Sequence, residues 1–140
     1  MDFQPIALPI ALPLLAVAVL MCMRRAGETA RHAINIVSCA AQLAAAVAIQ
    51  ARVSAEGVQV LRSGSWPAPF GNTLAAELVA SAMVLVTAVI GLGCAFYAAG
   101  YGTGKFRGYF APLYQALLLG VNGSFLTGDL FNLYVWFEVM

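Results

Sequence analysis

Four stretches of the chain, residues 5–23, 33–51, 74–101 and 109–127, are long, apolar and almost free of charge, and a fifth begins at residue 129. Nothing else in the sequence constrains the fold as much. A helix needs about 20 predominantly apolar residues to cross a hydrocarbon core of about 30 Å. In lipid the backbone must also satisfy its own hydrogen bonds, which within one segment only a helix can do. The expected fold is therefore all-α: a polytopic transmembrane helix bundle of four full spans and an incomplete fifth over 129–140, forming a single membrane domain. Composition agrees, since the 140 residues are 62% hydrophobic and 9% charged, with mean hydropathy +0.87. That is far too little charge to cover a soluble domain. The lipid bilayer is the first partner implied. No basic patch with interleaved aromatics is present, so no nucleic-acid partner is expected.

Orientation is read from the charges between the spans. Asp2 precedes the first span and Arg24 and Arg25 follow it. This is the reverse of a signal peptide and fits a retained helix. With the N-terminus outside, Arg24, Arg25, Arg31, Lys105 and Arg107 fall on the inner side, against Arg52 and Arg62 on the outer side, as the positive-inside rule requires.

Several polar residues sit within or beside the spans. Pro5, Pro9 and Pro13 recur on one face of the first, and the carbonyls they free must find donors on neighbouring helices or water. Asn35, Ser38 and Gln42 fall on one stripe of the second, which predicts hydrogen bonds between helices. Glu77 is expected in the first turns of the third span, near the outer interface, where it complements the positive helix end. Thr127 and Asp129 are placed to cap the fifth helix. Asn122 and Asn132 could hydrogen-bond across helices, and His32 at the inner interface is expected to be solvated. Trp66 and Phe70, beside Pro67 and Pro69, suit the lipid–water boundary.

No cofactor or metal site is expected. Cys22, Cys39 and Cys94 have no metal-pair spacing and read as small packing residues. The glycine-rich run from Gly100 to Lys105 is not a phosphate loop, because Ala99 and Phe106 stand where that motif needs Gly and Ser or Thr. No nucleophile–base cluster points to an enzyme.

Glu138 is the residue that points to function. From Asp129 it lies about 14 Å along a helix, near mid-membrane, where a carboxylate is costly and usually functional. Desolvation favours its protonated form and a nearby lysine its charged form, so moving a partner charge would switch it. The helix over 129–140 rises only about 18 Å. It stops short of crossing the core, so the sequence reads as the N-terminal part of a longer protein.

The run Thr127-Gly128-Asp129-Leu130-Phe131-Asn132-Leu133-Tyr134-Val135-Trp136-Phe137-Glu138-Val139 closely resembles the fifth helix of Mrp-type monovalent cation/proton antiporter D subunits. Gly120-Val121-Asn122-Gly123-Ser124-Phe125-Leu126 and Trp66-Pro67-Ala68-Pro69-Phe70-Gly71 extend the resemblance in the same order and spacing. The resemblance implies a subunit of about fourteen helices in a bacterial cell (inner) membrane with its N-terminus outside. It implies assembly with other antiporter-complex membrane subunits and exchange of protons for monovalent cations, sodium foremost, by a secondary transporter rather than an enzyme. It makes Glu138 the essential proton-transfer carboxylate, working with lysines on later helices. Related subunits occur in respiratory complex I and membrane-bound hydrogenases, so a proton-pumping subunit of a redox complex is the second reading. A structural or accessory membrane subunit ending at Met140, with no transport role, is the third.

Overall fold

A computed structural model describes residues 5–23, 27–63, 72–101 and 108–140, the side chains at 62, 63 and 72 excepted. The segment from Trp66 to Gly71 and the charges at Asp2, Arg24, Arg25, Lys105 and Arg107 lie outside the described residues. A 3-10 turn, Pro5–Ala7, leads into α1 (Leu8–Cys22), followed by α2 (Glu28–Glu56). A two-stranded antiparallel hairpin of β1 (Gln59–Ser63) and β2 (Asn72–Ala76) precedes α3 (Leu78–Tyr101), α4 (Phe110–Leu126) and α5 (Leu130–Val139). The register pairs Gln59 with Ala76 and Leu61 with Leu74.

The expected helix bundle is present, with two shifted boundaries. The second helix is 29 residues long rather than the stretch 33–51. At 1.5 Å per residue it spans about 44 Å and overshoots a 30 Å core at its ends. The third helix starts later than expected. Residues 74–76 belong to β2, and Glu77 is not in a helical turn but just ahead of one, its carbonyl accepting from the Ser81 amide at 2.9 Å. Hydropathy alone merges Leu74, Ala75 and Ala76 with the helix that follows. Their backbone groups instead pair across the hairpin. Three helical segments, Pro5–Cys22, Glu28–Glu56 and Leu78–Tyr101, are long and apolar enough to cross a membrane. At 17 residues α4 sits at the lower edge of spanning length, and α5 has 10.

Each of the first three helices turns one stripe inward. Pro9, Pro13, Ala16 and Leu20 of α1 are buried, as are Asn35, Cys39, Gln42, Ala46, Ile49 and Val53 of α2. On α3 the inward stripe is Ala80, Ser81, Val84, Ala88, Gly91, Ala95 and Ala98. Such small side chains let α2 and α3 approach closely, where packing rather than water exclusion drives association. The central element is α4, which packs against α1, α2, α3 and α5. One apolar core at the hairpin end joins Ile6, Ile49, Val53, Leu74, Val84 and Leu126, and a second joins Cys39, Ala95 and Leu118. Large apolar side chains such as Leu15, Val37, Ile90 and Phe96 point outward. Outward apolar faces are what a multi-pass membrane protein presents to lipid or to further helices.

Candidate functional site

The helix that carries Glu138 is fixed at its start by backbone and cap bonds. Gly128 N–H donates to the Thr73 carbonyl at 2.8 Å, and Thr127 bridges Leu74. The α4–α5 link is thereby stitched to the outer edge of β2. Asp129 takes the extended conformation of an N-cap, and its carboxylate accepts from Phe131 N–H at 3.1 Å. Asn132 Nδ2 donates to the same carboxylate at 3.2 Å, and Thr127 Oγ1 donates to the Asp129 carbonyl at 3.3 Å. The expected capping by Asp129 is what the geometry gives. Asn132, a candidate for bonding across helices, thus bonds the cap of its own helix.

Beyond its first turn α5 rests on α4 through two glycines. Gly120 and Gly123 leave the α4 surface bare, and α5 descends into the gap. A Cβ at Gly120 would come within 3.1 Å of the Met140 backbone, and one at Gly123 would fall inside the Trp136 ring. Trp136 and Met140 are four residues apart and so share one face. Glu138 lies two residues from each, about 200° around the helix. It therefore faces away from α4. Its side chain is exposed, on the same side as Phe131, Tyr134 and Val135, which are 74%, 66% and 43% exposed. Among the described residues nothing donates to or pairs with its carboxylate.

The polar stripe of α2 does join helices, through a residue that sequence reasoning passed over. Gln115 of α4 is fully buried. Its Nε2 donates to Asn35 Oδ1 at 2.8 Å, and its Oε1 accepts from Gln42 Nε2 at 2.9 Å and from Ser38 Oγ at 3.4 Å. A lone amide inside an apolar span was the signal that could have found it. Beside it, in the groove between α3 and α4, Tyr114 Oη donates to the Gly91 carbonyl at 2.8 Å. Asn122 reaches α1 and donates to the Pro9 carbonyl at 3.0 Å. That carbonyl is the one left without a helical donor because Pro13 has no N–H.

At the opposite end from the hairpin, Arg31 is buried and donates to the Gly108 carbonyl at 3.2 Å. His32, expected to be solvated, is largely covered, with Nε2 3.7 Å from Glu28 Oε1. Of the cysteines read as packing residues, Cys39 packs against Ala95 and Leu118, while Cys22 and Cys94 are exposed. Among the described residues no group of His, Cys, Asp and Glu is arranged to hold a metal ion.

No family model matches the chain. Individual relatives do. The chain is 38% identical to the D subunit of the Na(+)/H(+) antiporter of Alkalihalophilus pseudofirmus, over 96% of its own length and 27% of that protein's. It is 41% identical to the protein of the same name in Bacillus subtilis, again over 96% and 27%. It is 36% identical to the D subunit of a probable K(+)/H(+) antiporter of Rhizobium meliloti, over 95% and 25%. Among solved structures it matches a chain of the Mrp complex from Dietzia with a TM-score of 0.86 and 35% identity, over all of this chain and 26% of that one. A chain of the membrane-bound sulfane sulfur reductase, an archaeal respiratory membrane complex, matches with a TM-score of 0.90 and 29% identity, over 96% and 28%. The chain spans about a quarter of the length of these relatives. With relatives 36–41% identical over 95–96% of its length, the chain belongs to the family of Mrp-type cation/proton antiporter D subunits.

Proposed function

We propose that this chain supplies helices of a D-type subunit in a multi-subunit monovalent cation/proton antiporter, and that Glu138 is the carboxylate that takes up and releases the transported proton. The observation that carries the reading is the direction of Glu138. Its helix is seated on α4 by Trp136 and Met140, which leaves the carboxylate on the open side. There a lysine from a further helix can approach it. In a low-dielectric surrounding a carboxylate keeps its charge only beside a cation. Approach of a lysine expels the proton and its withdrawal lets one return, so motion of that partner would couple proton transfer to cation movement. Sodium is the cation the relatives' names favour. The distribution of Lys and Arg supports an N-terminus and a hairpin on the outer face of the bacterial cell membrane.

The test is Glu138→Gln in the complete antiporter complex, assayed in everted membrane vesicles. Assembly should survive, and sodium-dependent proton movement should be lost. Normal antiport by an assembled mutant complex would sink the reading.

A second reading is a proton-pumping membrane subunit of a redox-driven complex, which the likeness to the sulfane sulfur reductase chain favours. An electron donor that drives proton movement without a cation gradient would support it. An imposed sodium gradient that suffices alone would support the antiporter.

A further inference from the structure

We infer that Trp136, seated on Gly123, is the positioning residue for Glu138: the ring in its glycine seat sets the rotation of α5 and so the direction of the carboxylate. The inference rests on the proton-transfer reading of Glu138 given above.

Among the described residues α1, α2, α3 and α4 each carry buried residues that fix their rotation, and α5 carries none. Its start is tied down through Gly128 and Asp129. Those bonds anchor the link and cap the helix, and the face that the helix turns to α4 is set by packing. The closest packing is Trp136 against Gly123, where even a methyl group would occupy the ring position. Glycine inside a helix costs about 1 kcal/mol relative to alanine. Gly123 lies within α4 and is buried, so that cost falls where the ring needs the space. Gly120 is a looser seat, where a Cβ would lie 3.1 Å from Met140, and at Gly93 and Gly100 a Cβ would meet nothing within 4 Å.

Small rotations matter here. Side-chain ends lie about 5–6 Å from a helix axis, so a turn of about 30° moves a carboxylate by about 3 Å. That is the length of a hydrogen bond, enough to separate Glu138 from any partner. No charge on α4 can substitute for this effect. The helix carries no charged side chain, and its one titratable group, Tyr114, is bonded to Gly91. On α5 itself Asp129 is engaged as the cap, and Tyr134 is the only titratable side chain besides that cap and Glu138.

The experiment uses the complete complex, with Cys22, Cys94 and every other maleimide-reactive cysteine of the complex replaced by Ser so that thiol labelling reports one position. In a Glu138→Cys background, the rate of maleimide labelling should change severalfold on Gly123→Ala and return on Gly123→Ala with Trp136→Leu. Gly93→Ala should leave it unchanged. With Glu138 intact, Gly123→Ala should shift the midpoint of the antiport pH profile, and the double variant should restore it. Unchanged labelling in Gly123→Ala overturns the proposal, as does altered labelling with an unmoved pH profile. If Gly123→Ala prevents assembly, Trp136→Phe carries the same test, because the smaller ring leaves the seat partly empty. Labelling reads position without transport. Active Glu138→Gln would therefore reject the proton-transfer reading while the labelling result still stood.

Discussion

Asn122 Nδ2 lies 3.0 Å from the carbonyl oxygen of Pro9, a residue more than a hundred positions earlier and on another helix. Pro13 withholds the amide that would ordinarily serve that carbonyl, and Asn122 supplies the replacement. Both residues are buried. The bond therefore repairs a defect that the first helix carries in its own sequence.

Asn122→Leu should accordingly destabilise the protein by about 1 kcal/mol, in the range measured for hydrogen bonds between membrane helices. Pro13→Ala restores the helical donor and should remove most of that penalty. A double-mutant cycle of thermal stability in detergent would read the coupling. Equal losses with and without Pro13 would show that Asn122 contributes by some other contact.

Gln115→Leu should cost more, about 1–3 kcal/mol, because it takes the donor from buried Asn35 Oδ1 and leaves Gln42 Nε2 only its bond to Ser38. Replacing Asn35, Gln42 and Gln115 together by Leu removes both sides of the network and should be less harmful than the single change. Melting temperatures of the two variants, measured by size-exclusion fluorescence, give the order directly.

Asp129→Ala should lower stability by about 1 kcal/mol through loss of the cap on Phe131 N–H, while Asp129→Asn keeps most of it. Neither change should move the midpoint of the transport pH profile. The contrast with Glu138, on the far side of the same helix, is read in one assay of both mutants.

Gly128→Pro removes the amide that bonds the Thr73 carbonyl. Hydrogen exchange followed by mass spectrometry should show faster exchange over the first turn of α5 and over β2, with α2 unaffected. Unchanged protection of α5 would mean that the hairpin does not anchor it.

Much of this was legible in the sequence. The bundle follows from apolar stretches of spanning length, and the Asn35–Ser38–Gln42 stripe follows from helical spacing. Asp129 was readable as a cap from its place before an apolar run. The hairpin was not, because Leu74, Ala75 and Ala76 are as apolar as the helix they precede and their strand pairing is with distant residues. Gln115 escaped notice because one amide makes no pattern until its partners are in place. Gly123 and Trp136 are thirteen positions apart on different helices, and only tertiary packing reveals that one is shaped for the other. The direction of Glu138 follows from that packing, so the sequence could name the carboxylate but not say which way it faces.

The central place of α4 also has a bearing on time. A nascent membrane protein delivers its helices in order, and α1 and α2 arrive with groups left open toward α4: the Pro9 carbonyl, the Asn35 side-chain oxygen and a side-chain N–H of Gln42. Every one of these is answered by a side chain of α4. Insertion of that helix is therefore the step at which those three groups gain the partners they have in the finished bundle.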